Sequence, residues 1–274
     1  MTSGRQEGQQ EGWADSFFLF RFLDESAAIV EVEVRKILRD ATEMFSRAIQ
    51  PVLWLVIFGQ VFTKMRAIPT GSISYVAFLT PGILSQSILF STIFYGISVI
   101  WERDLGIIHK LMVSPAHRLS LVFGKSLSAG FRGLVQLVII YIVAAIMGVN
   151  LNFSPAAIAA VLLMVFLGSA VFSTFSLIIG CIVKTRERFM GMGQVLTMPL
   201  FFASSAIYPV SIMPAWLQWF AKINPLTYLV DSLRGIMIVG GQGAHSFGFD
   251  LLVMILVYAI FLAIADILYP TLIQ

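Results

Sequence analysis

Residues 133–183, GLVQLVIIYIVAAIMGVNLNFSPAAIAAVLLMVFLGSAVFSTFSLIIGCIV, run for 51 positions without an Asp, Glu, Lys or Arg. A helix crosses a bilayer with about 20 apolar residues, so this run is too long for one span and long enough for two. In its middle, Gly148-Val149-Asn150-Leu151-Asn152-Phe153-Ser154-Pro155 is a turn signal. The run therefore divides into spans at about 126–147 and 157–183. Working outward, Arg47 and Lys64 bracket a shorter apolar stretch, and Arg66 and Glu102 bracket 35 uncharged residues. The stretch 189–221 is also uncharged but carries Pro199, Pro209 and Pro214. It reads as a span to Tyr208 followed by a short helix at 214–222 that does not cross. Six spans result, at about 44–63, 75–101, 126–147, 157–183, 189–208 and 251–272.

Composition agrees. Of 274 residues, 58% are hydrophobic and 12% charged, and the mean hydropathy is +0.88. A soluble domain carries roughly 25% charge, and one of this size lacks the interior to hide so much apolar surface. A soluble enzyme is excluded, and the expected class is an all-α membrane protein. Residues 1–16 form a polar tail without the apolar core of a cleaved signal peptide, and 17–272 form a single transmembrane domain. The lone Cys181 excludes a disulfide framework.

Charge placement orients the chain. With six spans, 14 of the 18 Lys and Arg residues fall on the side of the N-terminus, leaving Lys64, Arg66, Lys222 and Arg234 opposite. Positive charge marks the cytoplasmic side, so both termini are expected in the cytoplasm of a multi-pass protein of the cytoplasmic (inner) cell membrane. Residues 29–47 are amphipathic. Val30, Val34, Ile37, Leu38, Ala41, Phe45 and Ala48 recur at helical spacing. Opposite them, Glu31–Arg35, Lys36–Asp40, Arg39–Glu43 and Glu43–Arg47 are i,i+4 charge pairs. That pattern predicts an interfacial helix.

Chemistry-bearing motifs are sparse. Gly124-Lys125-Ser126 imitates the end of a phosphate-binding loop, but Leu119 stands where that loop needs glycine, so it reads as a basic anchor at a span end. Gly240-Gly241-Gln242-Gly243 reads as a flexible turn. His109, His117 and His245 are scattered and Cys181 has no thiol neighbour, so neither a metal site nor a catalytic set is expected. Arg132 and Asp266 read as interface anchors, and Asp231 and Arg234 as an i,i+3 pair. Span two carries a polar stripe of Ser87, Ser91, Tyr95 and Ser98. Span five carries Gly193, Thr197, Phe201, Ser204 or Ser205, and Tyr208. Small residues at helical spacing can be close helix packing or a mildly polar translocation path. After span two, Leu105, Ile108, Leu111 and Met112 share one helical face, with Arg103, Gly106, Lys110, Ser114 and His117 on the other, and Pro115 ends the helix. Such an element is a lipid-surface loop or a docking knob for a cytoplasmic partner.

Three ordered motifs carry a family resemblance over about residues 17–272. Glu102–Lys125 (ERDLGIIHKLMVSPAHRLSLVFGK) resembles the loop of type-2 ATP-binding-cassette (ABC) exporter permeases, with its acidic–basic pair, glycine, apolar helix, Val-Ser-Pro and Gly-Lys. Asn224-Pro225-Leu226-Thr227-Tyr228, with Asp231 and Arg234, resembles the family's segment after span five, and Tyr75–Gly82 resembles its start of span two. His109 departs from the pattern, standing where the family often has an acid. The resemblance implies a half-transporter of two permease copies, a homodimer, with two cytoplasmic ABC ATPase subunits that hold ATP and Mg; this chain would bind no cofactor and no nucleic acid, and membrane lipids would surround it. It implies a coupling helix over Glu102–Ser114, with Glu102, Arg103, Asp104, Leu105, Gly106, Ile108, Lys110, Leu111, Ser114 and Pro115 meeting the ATPase. It also implies re-entrant helices over 209–235, with Asn224, Pro225, Tyr228, Asp231 and Arg234 at an outer gate, and spans two and five along the path.

The implied function is ATP-driven export of an amphipathic drug-like or lipid substrate. The alternatives are a polysaccharide or lipo-oligosaccharide exporter, an ion-coupled carrier or membrane-embedded enzyme, and a scaffold that recruits an ATPase. No span centre carries a charge, which counts against ion coupling.

Overall fold

The computed structural model describes residues 3–39, 41–65, 73–113, 118–183 and 185–273. Its α-helices are α1 (Ser3–Arg39), α2 (Ala41–Met65), α3 (Tyr75–Ile93), α4 (Gly96–Asp104), α5 (Ile107–Val113), α6 (Arg118–Ile146), α7 (Pro155–Ile182), α8 (Arg186–Phe202), α9 (Ala215–Ile223), α10 (Pro225–Met237) and α11 (Phe247–Leu268). Two short 3-10 turns, Val210–Ile212 and Tyr269–Ile273, complete the described elements. Among the described residues, five segments are long and apolar enough to cross a membrane: Phe45–Lys64, Tyr75–Asp104, Leu119–Ile146, Pro155–Ile182 and Phe247–Leu272.

The hydrophobic core sits around α3, which packs on α2, α6, α7 and α10. Close approach is set by small residues, as expected where lipid supplies no hydrophobic drive between helices. A Cβ on Gly82 would lie 2.3 Å from the Ala206 carbonyl oxygen, and one on Gly133 2.1 Å from Ser169 Oγ. The break between α3 and α4 has a specific cause. Ser176 of α7 accepts from the Gly96 amide at 2.9 Å and donates to the Ile93 carbonyl, so one hydroxyl satisfies both backbone groups freed by the kink.

The turn read at 148–155 is present. Gly148 takes φ +76°, and Ser154 caps α7 by accepting from the Ala157 amide, with Pro155 in the first turn. The same loop pairs with the end of α10: Asn152 N–H donates to the Met237 carbonyl and Val239 N–H to that of Asn150. This defines one end of the bundle. The other, charged end carries the α4–α5 hairpin and the start of α8, where Arg186 Nη2 meets Asp104 at 2.9 Å.

Four expectations change. The polar tail and the interfacial helix at 29–47 are not separate segments; α1 runs unbroken from Ser3 to Arg39 and α2 begins at Ala41. Lys36 turns to Glu33 and Glu102; Asp40 and the Glu43 side chain lie outside the described residues. The span expected at 189–208 is not among those five segments: α8 ends at Phe202 and has 17 residues, about 26 Å at 1.5 Å per residue. Beyond it the chain is folded back against α3, and Tyr75 donates to the Ile207 carbonyl at 3.1 Å. The single helix expected over 102–114 is two. α4 ends at Asp104, Leu105-Gly106 form a turn with Gly106 at φ +70°, and α5 begins at Ile107. Apolar periodicity continued through a glycine whose left-handed conformation helical residues do not adopt.

Candidate functional site

The charged end is held by a buried ion network. Glu102 of α4 is buried and receives the ammonium groups of Lys125 from α6 and, at 3.0 Å, Lys36 from α1. Lys36 also meets Glu33 at 2.8 Å, and Arg132 of α6 lies 4.0 Å from Glu33 with its guanidinium 4.2 Å over the Tyr95 ring. Asp104 bridges Arg103 and Arg186, and Arg186 stacks 3.6 Å over Trp101. The hairpin is thus tied to α1, α6 and α8 at once. Partial burial opposes the charge on Lys36, but the hydrogen bond and field of Glu33 and Glu102 outweigh it and hold its pKa above the ordinary lysine value.

Within the hairpin, Ile108 is fully buried and packs with Val99, Leu121 and Tyr269. Leu105, Ile107, Lys110 and Val113 point outward, Leu105 being 67% exposed. The face drawn through Leu105 and Ile108 is therefore divided between solvent and core. Ser114, Pro115 and His117 lie outside the described residues, as do the side chains of His109, Leu111 and Met112.

Gly124-Lys125-Ser126 has a packing role at each position. A Cβ on Gly124 would come within 2.9 Å of Ile29 Cβ and 3.0 Å of the Ser26 carbonyl oxygen on α1. Lys125 neutralises Glu102, and Ser126 Oγ shares a 2.7 Å hydrogen bond with Tyr258 OH. Overpacking costs about 1–3 kcal/mol, so Gly124→Val is expected to lift α1 from α6. Limited proteolysis should then cut α1 at least several-fold faster; an unchanged rate would remove Gly124 from the contact.

Most of the polar residues read along spans two and five are buried within the chain, with Ser98 and Tyr208 partly exposed. Ser87 donates to Gln136 Oε1 at 2.5 Å, Ser91 to the Ile88 carbonyl, Ser98 to the Tyr95 carbonyl and Thr197 to the Gly193 carbonyl. Tyr95 lies under Arg132, Phe201 is fully buried beside Trp54, and Tyr208 donates to the Phe202 carbonyl. α8 meets the end of α3 at Gly193, whose Cβ position lies 3.5 Å from Ile93 and 3.6 Å from Phe94. In contrast, α2 presents Phe45, Ile49, Leu53, Ile57 and Val61 outward, and an open groove of about 370 Å³ runs along it past Ser46, Gln50 and Trp54.

At the opposite end, Asn224 caps α10 by accepting from the Leu226 amide, while its amide donates to the Leu200 carbonyl at 2.6 Å. Pro225 occupies the first turn, where its missing N–H costs nothing. Tyr228 donates to the Lys222 carbonyl. Asp231 and Arg234 do not pair. Asp231 accepts from the backbone amides of Ala244 and His245, and Arg234 donates to the Ser205 carbonyl at 2.6 Å with its guanidinium 3.8 Å over the Phe78 ring. Burial lowers the Arg234 pKa to about 10, so it stays cationic at neutral pH. Tyr228, Asp231 and Arg234 border a cavity of about 510 Å³ that reaches Ser205, Pro209, Thr227 and His245. Arg132 is likewise not an interface anchor but part of the buried network.

Sequence reading missed Glu33, Lys125 and Arg132 as members of one network and Arg186 as the partner of Asp104, because the partners lie on different helices far apart in the chain. It also dismissed His245, which the fold places beside Asp231 and Asp250 with one donor atom from each within 4.8 Å of the others.

A bundle of long apolar helices with one charged, hairpin-bearing end defines an integral membrane protein. The ABC-2 type transporter family model matches residues 25–238, and the chain belongs to that family. It is 28% identical to a putative transport permease ycf38 of Cyanophora paradoxa over 78% of this chain and 74% of that protein. It is 23% identical to the daunorubicin resistance ABC transporter permease protein DrrB1 of Streptomyces coeruleorubidus over 83% and 79%. A probable doxorubicin resistance ABC transporter permease protein, DrrC, of Mycobacterium tuberculosis is 24% identical over 74% and 72%.

Proposed function

We propose that the chain is the membrane subunit of an ATP-driven exporter, working as a pair of permease copies with two cytoplasmic ABC ATPase subunits that bind ATP and Mg. The carrying observation is the α4–α5 hairpin. Its outward side chains are free to meet a partner, while Glu102 and Asp104 lock its base to α1, α6 and α8. A push on the hairpin therefore reaches several helices as a rigid displacement. The six-crossing layout with both termini in the cytoplasm fits α8 beginning beside Asp104 and its chain reaching Tyr75 at the other end; α9 and α10 then form the re-entrant outer gate.

Spans two and five remain the proposed walls of the path. Ser87, Ser91, Tyr95, Ser98, Gly193, Thr197, Phe201, Ser205 and Tyr208 would become accessible when α3 and α8 part at the Gly193 contact. The apolar exposed face of α2 supports an amphipathic drug-like or lipid cargo, as do relatives whose names carry daunorubicin and doxorubicin resistance.

Gentle solubilisation and tag-affinity capture of the full chain is expected to bring down an ABC ATPase in equimolar amount. An ATPase-free preparation that still transports without ATP would overturn the reading. Within it, Ser91→Leu combined with Thr197→Leu is expected to change substrate preference without loss of ATPase capture. Unchanged transport of every substrate tested would move the path elsewhere.

A further inference from the structure

We propose that Asp231, His245 and Asp250 form a binding site for a zinc-class divalent cation at the end of the bundle opposite the hairpin. Asp250, in the first turn of α11, is 0% exposed, and among the described residues neither of its carboxylate oxygens has a hydrogen-bond partner. A buried carboxylate left so is costly, and one of its oxygens stands with donor atoms of Asp231 and His245, all within 4.8 Å of one another. His245 Nδ1 stands 3.3 Å from Asp231 Oδ2 and 3.6 Å from Asp250 Oδ1. Tetrahedral ligands at about 2.1 Å from zinc lie about 3.4 Å apart, so the two edges at His245 already have the length that zinc requires.

The support around the donors is that of a built site. Backbone amides of Ala244 and His245 hold the two Asp231 oxygens at 2.7 and 2.8 Å, and the imidazole is packed against Phe249 and Tyr228. Such outer contacts orient ligands before the ion arrives. The 510 Å³ cavity reaches Asp231 and His245 and supplies both an entry route and a fourth coordination position. One nitrogen and few oxygens suit zinc, and not calcium, which takes six to eight oxygens. The ion would join α10, the 238–246 loop and α11, pinning one lip of the cavity. This inference does not depend on the ATPase reading.

The test uses the full chain, purified with a tag that contains no histidine, stripped with chelator and titrated with Zn²⁺ by calorimetry and with Co²⁺ by visible absorption. Expected are one Zn²⁺ per chain, intense tetrahedral Co²⁺ bands and no competition from Mg²⁺. H245A and D250N should each weaken binding by at least the about tenfold that loss of an outer-shell partner already costs. Absence of saturable binding, or parent-like affinity in both variants, overturns the site. So does a D250N chain that is more heat-stable than the metal-free parent, combined with a parent that ignores zinc. That result would mark Asp250 as a buried acid holding a proton. The wild-type Co²⁺ spectrum and the half-exposed His245 keep the test decisive if D250N fails to fold.

Discussion

Glu102→Ala is expected to destabilise the protein by about 3–5 kcal/mol, the cost of removing one partner from a buried ion pair. Lys125 is 4% exposed and its ammonium is placed against Glu102. Without the carboxylate, a charge on α6 remains in the interior with no water to replace the contact, and Lys36 loses its link from α1 to α4. Against a total stability of about 5–15 kcal/mol, that loss is large. The companion double variant E102M/K125M removes both charges and keeps apolar volume, and such exchanges are often neutral or stabilising. It should therefore recover most of the stability while still lacking the Lys36 contact. Thermal or denaturant unfolding of the detergent-solubilised chain measures both. A single-variant loss near that of an exposed pair, about 0–1 kcal/mol, would show that water reaches Lys125 and that the network is not a rigid tie.

If the proposed function holds, Gly106→Pro is expected to abolish transport and substrate-stimulated ATPase activity while the chain still inserts into the membrane. Three local features conflict with proline. Gly106 sits at φ +70°, and the pyrrolidine ring requires about −65°. The Gly106 amide donates to the Arg103 carbonyl at 2.9 Å, a bond proline cannot make. Leu105 is in the αR region, at φ −82° and ψ 0°, which a following proline disfavours. The turn must therefore change shape and α5 must re-aim, at a cost of about 3 kcal/mol or more. Core contacts elsewhere are untouched, because a Cβ at Gly106 would meet nothing within 4 Å. Retained substrate-stimulated ATPase activity would show that the hairpin does not transmit the stroke.

The membrane class, the helical content and the turn at Gly148–Pro155 were legible from one rule: a chain without charges for 51 residues must satisfy its backbone internally, and lipid permits that only in helices or closed barrels. Local chemistry was legible too. Asn224-Pro225 and Ser154-Pro155 announce helix starts because a cap needs a short polar acceptor and a ring with preset φ. Periodicity misled at Leu105-Gly106, where apolar spacing continues through a residue whose backbone leaves the helix. It misled again after Phe202, where α8 ends in a segment whose groups are satisfied by α3 and α10.

What sequence alone determined is therefore what neighbours within a few positions govern: five segments apolar enough for lipid and the capped helix starts at Pro155 and Pro225. Only the tertiary structure decided the partners of charges far apart in the chain. Glu102 could pair with any of several nearby cations by spacing, yet it meets Lys125, 23 positions on, and Lys36, 66 positions back. Asp231 faces Arg234 on a helical wheel, yet the 238–246 loop claims it and brings His245 to Asp250. A buried charge selects its partner by three-dimensional proximity in a low-dielectric interior, and that proximity is set by how Gly124 lets α1 reach α6 and how α10 folds back on α11, which no local window contains.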